Sequence, residues 1–330
     1  MCNDYEMLLF LCYFVVKMTK EVSVNIVRYE PRLKKVWDDF VSEAKNSSFL
    51  FRRDFMEYHQ DRFEDFSLLL YVNERLTCVF PACVSKHGVS SHRGLTYGGL
   101  LVKNTCKFDV FKAMFLELLT YLKHQKMQQL VIKTLPAIYC DSGNDELAFL
   151  HQLYRSGFEA NIGSVVYNNE ELVFSKSIIR NAKKAVKNGI VIKKTDDFTT
   201  FWNDLLEPRL QERFHKKPIH SLDEIIYLKD RFPDNIELYA AFLNDEMIAG
   251  TVLFNNKNFV KSQYIGSKSA YNKLGGLDLL HYEIINNLKL DYFDFGTSSI
   301  NPSEFNESLL AWKEQFGART IIFPTYTFTL

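Results

Sequence analysis

Residues 67–85 read SLLLYVNERLTCVFPACVS, and residues 237–255 read ELYAAFLNDEMIAGTVLFN. Each is an alternating apolar run broken by an Asn-acid pair, Asn73-Glu74 in one and Asn244-Asp245 in the other. A period of two marks half-buried strands, and a two-residue break led by Asn marks a hairpin. The same order of elements continues after both. A further strand ends near LTYGGLL (95–101) in the first half and NFVKSQYIG (258–266) in the second. A helix follows each. Phe111, Phe115, Leu118 and Leu122 share one face of the first, and Leu277, Leu280, Ile284 and Leu288 one face of the second. Short strands QLVIKTL (129–135) and DYFDFGT (291–297) come next. Both lead into helices that end near glycine, at Ser-Gly-Phe 156–158 and Phe-Gly 316–317.

The repeat distance of roughly 165 residues is the size of one common domain. The expected fold is therefore α/β (α+β), with two tandem domains, each a mixed, mostly antiparallel sheet flanked by helices. The first would span 18–174 and the second 175–330, with the last strand able to return to the first domain. Residues 1–17 are expected to be an extension. Their apolar run MLLFLCYFVV (7–16) is well short of the ~20 residues a spanning helix needs. It follows Asp4 and Glu6 rather than basic residues, so no secretory signal or transmembrane segment is expected. SKSIIRNAKKAVKNG (175–189) reads as a helix entering the second half. Two more helices fill 197–231, the second opened by a Ser221/Glu224 capping box.

Charge is balanced, 40 basic against 40 acidic side chains, which argues against DNA as a partner and confines any attraction for anions to local patches. The 6 cysteines have no metal-ligand or disulfide spacing. No metal is expected, and a reduced cytoplasm is the simplest setting.

Three stretches carry chemistry. YIGSKSAYNKLGGLDLLHYEII (264–285) takes a strand through a polar glycine loop into a helix. Free N–H groups at a helix start suit an anion, so Lys268, Asn272, Lys273, Gly275 and Gly276 are candidate donor-binding residues. YFDFGTSSINPSEFNESLLAWKEQFGAR (292–319) sets Phe293 and Phe295 on one strand face and Asp294 on the other. Gly296 ends that strand where a ligand could approach. Lys313 then joins Leu309, Trp312 and Phe316 in one helical stripe. A lysine there either snorkels to water or stabilises a developing oxyanion. In the first half, Arg52, Tyr58, His59, His92 and Tyr97 are candidates for an acceptor surface, beside Gly98 and Gly99. From Ser175 to Thr195 the chain has seven lysines or arginines and no acid. Arg180, Lys183 and Lys184 therefore become candidate phosphate contacts, against the plainer alternative of a solvated face.

The succession of RNAKKAVKNGIVI (180–192), FDFG (293–296) and Trp-Lys-x-x-Phe-Gly (312–317) resembles Fem-type transferases of the GNAT superfamily. The order of elements, found twice, is similar to the GNAT arrangement. The resemblance covers roughly residues 175–319. It implies two GNAT-like domains and transfer of acyl or aminoacyl groups to cell-wall or glycan precursors. It places Lys313 at the reacting carbonyl, with Asp294, Gly296 and Phe316 around it. The donor is then acyl-CoA or an aminoacyl-tRNA. Against the usual acyl-CoA signature, Asn272 stands first and Leu277 last. The coiled-coil arm of tRNA-using members has no counterpart in 197–231. The expected function is N-acyl transfer onto an amine of a small-molecule, peptide or glycan precursor, with Lys313 and Asp294 as catalytic residues. The alternatives are an aminoacyl-tRNA-dependent peptidyl transferase and a catalytically silent binding module. A Lys313 facing a cleft favours enzyme; a Lys313 held in a buried ion pair favours the module.

Overall fold

The computed structural model describes residues 22–154, 156–168, 171, 173–301 and 303–330. The expected extension, 1–17, lies outside them. Both hairpins form as two-residue turns. Asn73 and Glu74 have φ of 47° and 66°, and Asn244 and Asp245 have φ of 49° and 64°. Two consecutive left-handed residues match the right-handed twist of the flanking strands, and Asn tolerates that conformation better than most residues.

In chain order the strands are β1 (Val24–Arg28), β2 (Leu68–Val72), β3 (Arg75–Phe80), β4 (Cys83–Ser85), β5 (Gly88–Ser90), β6 (Leu101–Val102), β7 (Gln129–Lys133) and β8 (Gly157–Tyr167). They continue with β9 (Val191–Thr195), β10 (Ile236–Leu243), β11 (Glu246–Asn255), β12 (Phe259–Ser267), β13 (Tyr292–Thr297), β14 (Ser299–Asn301), β15 (Glu304–Phe305) and β16 (Arg319–Thr329). The longer helices are α1 (Lys34–Glu43), α2 (Phe108–His124), α3 (Glu146–Leu153) and α4 (Lys176–Lys187). After them, α5 runs from Phe198–Thr200 through a π-helical stretch, Phe201–Leu206, to Glu207–Phe214. It precedes α6 (Leu222–Arg231), α7 (Gly276–Asn286) and α8 (Glu307–Glu314). The capping box that opens α6 has both its hydrogen bonds.

One small sheet has the order β1-β2-β3-β6, and a ten-stranded sheet has the order β4-β5-β7-β16-β8-β13-β12-β11-β10-β9. The long sheet crosses from one half of the chain to the other. The last strand lies between β7 and β8, and β8 in turn pairs with β13. Only β5/β7 and β12/β13 are parallel among the pairs of this sheet.

Three sequence expectations need correction. The stretch 95–101 is not a strand: only Leu101–Val102 pairs with β3, because Gly99 has φ +106° and Gly98 packs where a Cβ would lie 2.5 Å from the Ser91 carbonyl. Gly157 does not cap α3 but begins β8, whereas Gly317, at φ +84°, does follow α8. On α7 the fully buried residues include Leu279, Leu280, His281 and Ile285, while Leu277, Ile284 and Leu288 are only partly covered. This helix packs on α4 as well as on the sheet, which rotates its apolar face.

Nine register pairs tie β16 to β8 and five tie it to β7, and Tyr326 and Phe328 are buried in the first half's core. Deleting 319–330 is expected to abolish cooperative unfolding in a thermal melt followed by circular dichroism. A soluble truncated protein with a sharp transition would show that the two ends of the sheet fold independently.

Candidate functional site

The two parallel strands β12 and β13 pair only from Phe259–Lys261 to Tyr292–Asp294. Beyond Asp294 the strands part. β12 stays with β11, while β13 follows β8 through a register shift between Asp294 and Thr297. Gly296 sits in that shift with φ +73°, a conformation glycine adopts without strain. The polar groups of the splay are buried, and they come from both halves of the chain.

Asp294 is 0% exposed. Its Oδ1 accepts from the Gly296 N–H at 2.6 Å. Its Oδ2 accepts from the Tyr97 hydroxyl at 2.9 Å and from Lys261 Nζ at 3.3 Å. Lys261 stands opposite Asp294 in the strand register. Sequence reasoning missed it, although a lysine among the apolar residues of NFVKSQYIG was the available signal. Tyr97, expected on an acceptor surface, is buried instead, and its hydroxyl is held well above the usual tyrosine range by burial and by the Asp294 carboxylate.

Lys313 is 2% exposed and does not snorkel. Its Nζ donates to the carbonyls of Gly296 and Thr297, both at 2.9 Å, and to Ser298 Oγ at 3.0 Å. It therefore faces no open cleft and forms no ion pair among the described residues. Burial pushes its pKa down to about 7, the neighbouring Lys261 charge pushes the same way, and Asp294 opposes them.

The rest of the Trp-Lys-x-x-Phe-Gly motif is structural. Trp312 Nε1 donates to Asp278 Oδ1 at 3.0 Å, and Asn181 Nδ2 donates to Asp278 Oδ2 at 2.7 Å. Phe316, expected to line a donor site, lies in an aromatic cluster with Phe295, His281 and Trp312.

The glycine loop is also differently used. A Cβ on Gly275, which has φ +84°, would lie 2.6 Å from the Asn181 carbonyl, and one on Gly276 would lie 3.0 Å from Ile248 Cδ1. The close approach these glycines permit is thus to α4 and the sheet. Lys268 pairs with Glu246 at 2.7 Å, and Asn272 Oδ1 accepts from Ser267 Oγ at 2.9 Å. Lys184 Nζ donates to the Lys273 carbonyl at 2.7 Å. Arg180 and Lys183 are exposed on α4, without an ion pair among the described residues. The Lys273 side chain is exposed too.

Of the acceptor candidates, Arg52 is exposed, while Tyr58, His59 and His92 meet at a buried seam. His59 stacks on His92 with centroids 5.0 Å apart and on Tyr58 at 4.2 Å. His220, expected merely to precede a cap, joins from the second half, 5.4 Å from Tyr58, with its Nδ1 on the Tyr264 hydroxyl. Burial lowers all three histidine pKa values, His92 to about 3 and His220 to about 4. They are therefore neutral at pH 7, which does not suit them to bind an acceptor phosphate.

A cleft of 810 Å³ beside the β2/β3 turn and one of 430 Å³ beside the end of α7 are lined by none of Lys261, Asp294 or Lys313. Among the described residues no group of three or more His, Cys, Asp or Glu could hold a metal. No helix among them is long and apolar enough to cross a membrane.

The histidine seam makes a pH dependence. A depressed folded pKa means that the unfolded chain binds protons first, so stability is complete above about 6.5 and declines as pH falls below it. Arg53 and Arg62 face the seam and add to the penalty, while Asp65 and Glu224 offset part of it. The urea midpoint is expected to fall between pH 7 and pH 5, above the carboxylate range. His281, against Phe295 and Trp312 and lowered to about 4 by burial, adds to the same fall, so a flat midpoint over that interval would mean that these histidines are open to water.

Residues 174–314 match the acetyltransferase (GNAT) domain family. A search of curated protein sequences gives no match. Among solved structures, FemX is similar with a TM-score of 0.66 at 14% identity, over 93% of this chain and 97% of that one. L-PGS from Bacillus licheniformis is similar at 0.61 and 10% identity, over 91% and 92%. A conserved protein of unknown function from Bacteroides thetaiotaomicron VPI-5482 is similar at 0.59 and 9% identity, over 92% and 99%. The chain shares the fold of FemX, and within it residues 174–314 form the part that matches a GNAT domain.

Proposed function

We propose, from this fold, that the protein is an N-acyltransferase acting on an amine of a cell-wall or surface-glycan precursor, with its chemistry at the β12/β13 splay. The observation that carries it is the buried group of Lys261, Lys313 and Asp294, two lysines against one carboxylate. Two buried amines beside one carboxylate suit a place where negative charge arrives, and acyl transfer develops an oxyanion. The amine nitrogen attacks the donor carbonyl carbon, and the carbonyl electron pair moves to oxygen. When that pair returns, a C–N bond remains, the bond to the donor's sulfur or ribose oxygen breaks, and the amine proton leaves with it.

Acyl-CoA is the favoured donor and aminoacyl-tRNA the alternative. We assign the donor to residues 175–330 and the acceptor to 18–174, which meet at the Tyr97–Asp294 bond. The exposed, unpaired Arg180 and Lys183 of α4, with Lys184, support an anionic substrate lying along that helix.

Purified protein incubated with acyl-CoA or aminoacyl-tRNA and amine-bearing precursors is expected to give an amide product by mass spectrometry. No product with any donor, beside intact binding of a precursor, would make the chain a binding module. Reversing Arg180, Lys183 and Lys184 to Glu is expected to weaken substrate binding at least tenfold and to flatten its salt dependence, since exposed cations act through screened charge. The melting temperature should change little. Unchanged affinity would return α4 to a solvated face.

A further inference from the structure

An ammonium group has three protons, and the two lysines of the splay use theirs differently. All three positions around Lys313 Nζ are taken, by the Gly296 and Thr297 carbonyls and Ser298 Oγ. Nothing is left to offer a substrate while that turn stands. Among the described residues Lys261 Nζ has one acceptor, Asp294 Oδ2, at the long distance of 3.3 Å. Its other contacts are ring faces, Phe323 at 5.6 Å and Tyr97 at 6.0 Å. Its side chain is 10% exposed, and its ammonium lies where β12 and β13 part. A Cβ on Gly296 would come 3.0 Å from Nζ, so the glycine keeps open the space beside the ammonium.

We infer that Lys261 donates the hydrogen bond that stabilises the reacting carbonyl oxygen, and that Lys313 is a positioning residue that holds the Gly296–Ser298 turn beside it. This rests on the acyl-transfer function proposed above. Lys261 transfers no proton in the step. Its N–H stabilises the electron pair that moves onto oxygen as the C–N bond forms, and is released when the pair returns and the donor bond breaks. Asp294 fixes the amine of Lys261 from the side away from the substrate, and Tyr97 fixes Asp294.

The test compares single variants of the full chain. Lys261→Met is expected to lower kcat about a hundredfold, the scale seen on losing one oxyanion donor, with KM for donor and acceptor within about twofold. Lys261→Arg should recover part of the loss. Lys313→Met should raise KM as well as lower kcat. It should also speed amide hydrogen exchange at Thr297 and Ser298, which Lys261→Met should leave protected. Removing the Lys261 charge should move the Lys313 titration, read from its Nζ resonance, upward from about 7. If Lys261→Met fails to fold because Asp294 is left uncompensated, the double change Lys261→Met with Asp294→Asn removes both charges, and the same loss in kcat is expected.

A Lys261→Met enzyme within threefold of wild type would overturn the inference. So would a Lys313→Met enzyme that loses kcat alone with unchanged exchange, since Lys313 would then be the donor. A wild-type protein that makes no amide product would sink the acyl-transfer function itself, a result distinct from an active enzyme indifferent to Lys261.

Discussion

The Asp294 carboxylate is shut off from water and bonded to three groups that would otherwise have no reason to meet. An ionised carboxylate in such a place is tolerated only when it is paired and hydrogen-bonded, and each of its partners sets a different part of the molecule. The Gly296 amide turns β13 away from β12. Lys261 brings a cation into the resulting splay. Tyr97 comes from 197 residues earlier in the chain and locks the first half against the second. Removing the carboxylate would orphan a cation and a buried hydroxyl together, so the opening between the strands and the joint between the halves rest on one group.

A second carboxylate holds the frame around this centre. Asp278 accepts from Asn181 of α4 and Trp312 of α8, so α4, α7 and α8 meet at a single side chain. The start of α4 is tied to the end of α8 as well, through Ser175 N–H to the Gln315 carbonyl at 2.8 Å and Ser177 Oγ to Gln315 Oε1 at 2.6 Å. The motif residues that resemble the Fem family are thus largely the ones that hold α8 in place. Trp312 anchors one side of α8, Phe316 fills the aromatic cluster, and Gly317 turns the chain back toward β16. Of these, Lys313 reaches the splay, and it does so by bonding two backbone carbonyls and Ser298 Oγ.

Local chemistry was legible in the sequence, and long-range placement was not. The Asn73-Glu74 and Asn244-Asp245 turns and the Ser221/Glu224 box depend on neighbours along the chain, and each formed with the geometry its residues require. The duplicated hairpins were equally readable, because the alternation of apolar residues is a local property, whereas the strand expected over 95–101 shrinks to Leu101–Val102. Lys313 stood out by residue type on an apolar stripe. Lys261 did not, since one lysine in a strand looks like an outward-facing residue until the partner strand puts a carboxylate opposite it. Nothing near His220 announced that it would meet Tyr58 and His59, 162 and 161 positions away by their numbers. The glycines of 275–276 were legible as a close approach, but what approaches them is decided by the packing of α4.

The Lys313 pocket is built to accept two protonation states. With its pKa near 7, the amine is divided between charged and neutral forms at neutral pH. The charged form donates to the Gly296 and Thr297 carbonyls and to Ser298 Oγ. The neutral form has two N–H groups for the two carbonyls and a lone pair for the serine, whose hydroxyl can rotate to donate instead of accept. Either state leaves every polar group of the turn satisfied, so the charge on Lys313 can change without cost to the turn. Burial does most to lower that pKa, the Lys261 charge adds to it, and Asp294 opposes both. An anionic oxygen beside Lys261 would weaken the repulsion that Lys313 feels and draw its proton equilibrium toward the ammonium. Such coupling needs two buried lysines close enough to sense each other and only one of them fully hydrogen-bonded, which is the arrangement that the splay of β12 and β13 creates.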